Sequence, residues 1–259
     1  MKKGCTGLQN IQLLRWCEEL GIIVAWNLLA GFPGESASEY ERMAELLPLL
    51  THLQSPASCS PVRLDRFSPF YMRSSELGLV RLRPKPGYYY AYPLGRRDLA
   101  RLAYFFDFDY ADGRDPYSYL GDVQAEMLRW WNARTTEPEQ LPRLDAFCNG
   151  DAVTIKDTRP AALQSEQELA GLAAQLYLRC DAAQSLANLQ REFSDVAEGQ
   201  EIRRTLEECI AAKLMIEMDG QYLSLAVMRN RSAPKPIEQQ NVYSQIQQTP
   251  ASNPLLHLA

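Results

Sequence analysis

Histidine is almost missing from this chain: His52 and His257 are the only two in 259 residues. That count excludes a histidine-rich metal site, and a Ser/His/Asp triad would have to use His52. His52 ends a leucine-rich helix, where capping or answering the helix dipole is the simpler role. Cysteine is present without a pattern. Cys5, Cys17, Cys59, Cys148, Cys180 and Cys209 are scattered, and no CxxC or CxxxCxxC brings thiolates together. Reduced, mostly buried thiols are expected. No apolar run approaches the roughly 18 residues that span a bilayer. The basic start Met1-Lys2-Lys3 is not followed by the continuous apolar core of a secretory signal, so a cytoplasmic protein with no membrane partner is expected. Basic excess is lacking too. A net charge of −5 and a pI near 5.3 give no general attraction to nucleic acid. The hydrolase, dinucleotide and nucleotide-phosphate signatures GxSxG, GxGxxG and GxxxxGK[ST] do not occur, which removes the commonest enzyme classes.

What is present is ordinary globular composition, 46% hydrophobic and 23% charged, in a chain long enough for two domains. Leu8, Ile11, Leu14 and Leu20 share a helical face; Thr6 caps that helix and Gly21 ends it. The run "IIVAWNLL" has the length and β-branching of a strand buried on both faces. Ser36 with Glu39 reads as a capping box opening a helix from Ala37 to about His52. "CSPVRLDRF" (Cys59 to Phe67) alternates like a second strand. Residues 6–70 thus read helix, strand, helix, strand, a slice of a parallel α/β sheet. Two such strands cannot bury both faces or satisfy both edges, so a complementary chain or further sequence is expected to complete the sheet.

Ser68 to Pro93 is irregular and rich in proline and tyrosine, and "GRRDLARLAYFFDFDY" starts a helix near Asp98. A further helix runs from Tyr117 to Arg134, and Pro138 and Pro142 mark a boundary. Residues 151–228 read as a separate module. "DAVTIKDT" is a strand, and Ser165 with Glu168 caps a helix to about Cys180. Ser185-Leu186 opens a second helix, and Gly199 to Lys213 forms a third. Asp219-Gly220 between alternating runs specifies a type I′ hairpin. A strand, three helices and a two-stranded wing describe a winged helix-turn-helix. With thirteen acids against seven bases, this module is a poor DNA binder. Residues 229–259, dominated by Gln, Asn, Ser and Pro, are expected to be a disordered tail.

Between the first strand and the second helix lies Gly31-Phe32-Pro33-Gly34-Glu35. A strand-to-helix turn explains it. So does a surface where glycines let backbone groups approach a flat ligand. The segments "KGCTGLQNIQLLRWCEELGI", "WNLLAGFPGES", "RLDRFSPF" and "LAYFFDFDY" together resemble the C-terminal part of cobalamin-binding radical S-adenosylmethionine enzymes. The group most similar is the maturases of ribosomally synthesised, modified peptides (RiPP maturation), several of which methylate carbon.

The resemblance covers most of residues 2–227 and implies a fold. Residues 1–70 become the C-terminal slice of a partial TIM barrel, with Ile22 to Ala30 as its fifth strand and Pro61 to Phe67 as its sixth. Residues 71–150 become an irregular and helical extension packed on the barrel, and 151–228 the winged module. It implies that Gly31, Phe32, Pro33, Gly34 and Glu35 lie beside the adenine of S-adenosylmethionine, with Glu35 holding the loop. Arg63, Asp65 and Arg66 would face the cofactor or substrate, against the simpler reading of an ion-paired strand end. The parent family uses S-adenosylmethionine, a [4Fe-4S] cluster and cobalamin. The cobalamin domain and cluster loop would precede residue 1, so this chain reads as a fragment that is catalytically incompetent alone. The winged module would engage a precursor peptide at a sheet edge, or only pack on the barrel. A non-catalytic peptide- or protein-binding module is the alternative function.

Overall fold

The computed structural model describes residues 4–135 and 137–230. The expected tail lies outside them, apart from Arg229 and Asn230. Helix α1 (Gly7–Glu19) opens on the capping box: Thr6 accepts from the Gln9 N–H at 3.2 Å and the Gln9 side chain accepts from the Thr6 N–H at 2.9 Å. Strand β1 is only Asn27–Ala30. The preceding residues stay out of the ladder because the Gln54 side chain holds them, accepting from the Val24 N–H (2.6 Å) and donating to the Ile22 carbonyl (2.7 Å). Ile22 and Ile23 are exposed, not buried on both faces. Helix α2 (Ala37–Leu46) passes into a 3₁₀ turn, Leu47–Leu50, where Pro48 removes a donor. At its start the Ser36 hydroxyl accepts from the Ser38 N–H at 3.3 Å. Strand β2 (Ser58–Pro61) pairs with β1. The flanking hydrogen bonds, Ala57 to Trp26 and Val62 to Ala30, advance together along both strands, so the pair is parallel.

The expected second strand is broken: β2 stops at Pro61, and β3 is Leu64–Asp65. After the short α3 (Pro69–Met72), capped by Ser68, the segment read as irregular contains β4 (Leu79–Pro84) and α4 (Gly87–Ala91). Helix α5 (Arg96–Leu102) ends early, because the alternation Phe105-Phe106-Asp107-Phe108-Asp109-Tyr110 has period two and forms β5 (Phe105–Tyr110). Antiparallel pairing gives the order β3-β5-β4. One face carries a small core of Leu64, Leu79, Ala103 and Phe106.

Helix α6 (Tyr117–Ala133) lies where the sequence placed it. Strands β6 (Leu144–Asn149), β7 (Ala152–Asp157) and β8 (Glu166–Ala170) form an antiparallel meander. The Ser165/Glu168 capping box is therefore replaced by a strand, since pairing with β7 satisfies these backbone groups. The helix, α7 (Gly171–Arg179), begins after it. Next come β9 (Gln184–Ser185), α8 (Leu186–Glu192), α9 (Gly199–Ala211), and the hairpin β10 (Met215–Met218) and β11 (Gln221–Ser224). Asp219 and Gly220, at φ 53° and 75°, make the type I′ turn, and β9 adds to the far side of β11. Finally β12 (Val227–Met228) runs parallel to β6.

The fold is mixed α/β, as expected; among the described residues the strands form four small sheets and no barrel. No helix among them is long and apolar enough to cross a membrane. Contacts divide the chain into two units. The first gathers residues 4–27, 40–59 and 122–230, and the second 28–39 and 60–121. The first holds a buried polar core. Arg159 and Asp157 are paired bidentately, and Arg159 donates further to the carbonyls of Leu49 (2.6 Å) and Lys213 (2.8 Å).

Candidate functional site

The glycine-rich loop lies within the second unit, between the end of β1 and the start of α2. Gly31 and Gly34 both sit at φ +82°, a left-handed backbone that favours glycine. The bend is held by the carboxylate of Glu35, which accepts from the Gly31 N–H at 2.5 Å and the Phe32 N–H at 2.8 Å. The Glu35 N–H donates back to the Phe32 carbonyl at 3.3 Å. Such charge-assisted bonds to backbone donors are about twice as strong as neutral ones. Phe32 rests near Phe70 of α3, with ring centroids 6.0 Å apart.

The rest of the cradle comes from Tyr110–Tyr119, about eighty residues downstream. The Tyr110 hydroxyl donates to the Gly31 carbonyl at 2.6 Å, and Arg114 donates to the Phe32 carbonyl at 3.3 Å. The Tyr119 hydroxyl donates to Oε1 of Glu35. Burial, and then the Glu35 charge, push the Tyr110 phenol up to about 12, and burial with the Glu35 hydrogen bond raises Tyr119 as well. Both phenols therefore stay protonated donors at neutral pH. Hydrogen bonding to Asp112 raises Arg114 and lowers Asp112, which keeps that pair fully charged. The Arg114 guanidinium also lies 5.4 Å from the Tyr110 ring centroid.

The two glycines have different reasons to be glycine. A Cβ at Gly31 would fall 2.3 Å from the Tyr110 hydroxyl and 3.1 Å from Pro116 Cγ, so that space belongs to the protein's own side chains. A Cβ at Gly34 would meet nothing within 4 Å. With the polar groups of Gly31 and Phe32 already engaged, the loop's open side is at Gly34, flanked by half-buried Pro33.

Of the other sequence candidates, Arg63 and Asp65 bond each other bidentately at 2.6 and 2.9 Å, and Arg63 stacks 4.5 Å from the Phe105 ring centroid. They form an exposed ion pair at a strand end. Arg66 closes the C-terminal end of α5 through the carbonyls of Ala103 (2.6 Å) and Ala100, the favourable site for a cation on a helix. Sequence reasoning missed Tyr110, Arg114 and Tyr119 as parts of the site. The signal in the sequence is a period-two aromatic strand ending in tyrosine, followed by an Asp-Gly-Arg turn.

The cysteines do not fit a cluster site. Burial raises the thiols of Cys17 and Cys59, and lifts Cys180 to about 12 and Cys209 to about 11, against the thiolate that a metal needs. These four lie on α1, β2, the end of α7 and α9, and among the described residues no three potential ligands converge. Comparison with known proteins finds no matching family model, no matching curated protein and no matching solved structure.

Proposed function

We propose that the chain is the C-terminal part of a radical S-adenosylmethionine enzyme of the cobalamin-binding, peptide-maturing kind. In this reading the Gly31–Glu35 loop lends one wall to the site of the adenosyl group. The observation that carries it is the loop's asymmetry. One side is immobilised by a carboxylate, two phenols and a guanidinium, and the other is bare at Gly34. A plain connecting turn needs only the glycine backbone; a bend fixed this firmly suits a ligand that must be met without reorganisation. The parallel β1–β2 pair, in which Leu29 of β1 is exposed, supports the reading of residues 1–70 as part of a larger barrel sheet.

In this reading the cluster and cobalamin would be held by other sequence; among the described residues no three potential cluster ligands converge. What the chain would contribute is adenosyl contact and, through its C-terminal module, a hold on a precursor peptide. A non-catalytic binding module is the second reading. It is favoured by the order α7-β9-α8-α9-β10-β11, the order of a winged helix, with β9 and β10 as the outer strands of its sheet. The reading frame upstream of the Met1 codon separates the two. An in-frame segment encoding a three-cysteine loop and a cobalamin domain is expected from the first; in-frame stop codons there would overturn it in favour of the second.

A further inference from the structure

We propose that Tyr110, Arg114 and Tyr119 are positioning residues that fix the Gly31–Glu35 bend, so that ligand affinity at its open side is set from this downstream segment. Each closes a different polar atom: the Gly31 carbonyl, the Phe32 carbonyl and Glu35 Oε1. Glu35 already takes the Gly31 and Phe32 N–H groups, so the Gly31–Phe32 peptide unit is held at both its carbonyl and its N–H.

The holding segment is itself stiff. The Gly113 N–H donates to the Tyr110 carbonyl at 3.0 Å, Asp112 accepts from the Arg114 N–H at 3.2 Å, and Asp115 accepts from the Tyr117 N–H at 3.0 Å. Asp112 also grips the Arg114 guanidinium, aiming its free edge at Phe32. The result is one rigid turn bonded to another, and a change at Tyr119 reaches the loop through Glu35. The statement about ligand affinity rests on the adenosyl reading of the loop; the clamp does not.

The test is amide hydrogen exchange at Gly31 and Phe32 in Tyr119→Phe, Glu35→Ala and the double variant, with Arg73→Ala as a control in an exposed ion pair. Isothermal titration with S-adenosylhomocysteine accompanies it. Loss of one hydrogen bond to a charged group is expected to speed exchange at both amides about tenfold in Y119F. Because Tyr119 reaches the loop through Glu35, exchange in E35A/Y119F is expected to be no faster than in E35A alone, a non-additivity that a general loosening would not give. The control is expected to match the wild type. Should Y119F be poorly folded, Tyr110→Phe, which removes only the bond to the Gly31 carbonyl, is read by its own faster exchange at Phe32. Unchanged exchange in both tyrosine variants, or full additivity of Y119F with E35A, overturns the clamp. If the wild type binds S-adenosylhomocysteine, Y119F is expected to bind about tenfold more weakly, and equal affinity overturns the coupling to ligand. If the wild type binds none, the adenosyl reading and the coupling fall, while exchange alone decides the clamp.

Discussion

Replacing Gly31 by alanine separates the packing of the loop from its backbone conformation. Alanine at φ +82° costs about 1–2 kcal/mol wherever it is placed in this loop, since Gly34 has the same φ. At Gly31 the new Cβ also falls 2.3 Å from the Tyr110 hydroxyl, so that side chain must withdraw and release the Gly31 carbonyl. The lost hydrogen bond adds roughly 1–1.5 kcal/mol. Gly31→Ala is therefore expected to destabilise the second unit by about 3 kcal/mol, and Gly34→Ala by about 1–2 kcal/mol. Tryptophan fluorescence is the wrong probe, because Trp16, Trp26, Trp130 and Trp131 all belong to the first unit. Native-state hydrogen exchange of the β5 amides reports the second unit directly. In the Tyr110→Phe background, without the hydroxyl, the nearest atom of that side chain, Cζ, lies at 3.5 Å and only Pro116 Cγ at 3.1 Å is closer, so the two changes together should cost less than their sum. Equal costs for G31A and G34A, or strict additivity with Y110F, would refute the assignment of that space to Tyr110.

Two predictions concern the first unit, where tryptophan fluorescence applies. His52 is buried, with its Nε2 2.9 Å from the Leu225 carbonyl. Burial first, then the charges of Arg159, Arg134 and Arg15, hold its pKa well below the ordinary value, against the opposing pull of that carbonyl. The unfolded chain therefore binds a proton that the fold does not. Stability is full above about pH 6.5 and falls as pH drops below it, by up to about 1.4 kcal/mol per pH unit. His52→Gln keeps a donor without titrating and should flatten that slope in urea unfolding between pH 7 and 5; an unchanged slope would contradict it. Asp157→Asn leaves the Arg159 guanidinium buried with no counter-charge from its partner, and should cost about 3–5 kcal/mol, seen as a lowered urea midpoint. A cost under about 1 kcal/mol would mean that this pair is solvated.

Local rules made parts of the fold legible. Thr6 announces α1, Asp219-Gly220 announces the hairpin, and the apolar spacing of α6 and α9 gives their extent. Where the sequence misled, a tertiary partner had decided the outcome. Glu166–Ala170 carries a helix signal, yet the free edge of β7 takes it as a strand. Ile22 to Ala25 has the residues of a strand, yet the Gln54 side chain takes the Ile22 carbonyl and the Val24 N–H. The same holds at the site. Gly31, Phe32, Gly34 and Glu35 stand together in the sequence and could be read as one bend. Tyr110, Arg114 and Tyr119 reach that bend only after β5 has been threaded between β3 and β4. The period-two run ending in Tyr110 marks the strand, but nothing local to it says which bend it meets.

Titrating the isotope-labelled chain with S-adenosylhomocysteine decides whether the bare side of the loop receives an adenosyl group. The amide resonances of Phe32, Gly34 and Glu35 are expected to move saturably together at sub-millimolar ligand, with those of the Asp219-Gly220 turn unmoved. Loop resonances that stay still at millimolar ligand, in a folded chain, would contradict the account.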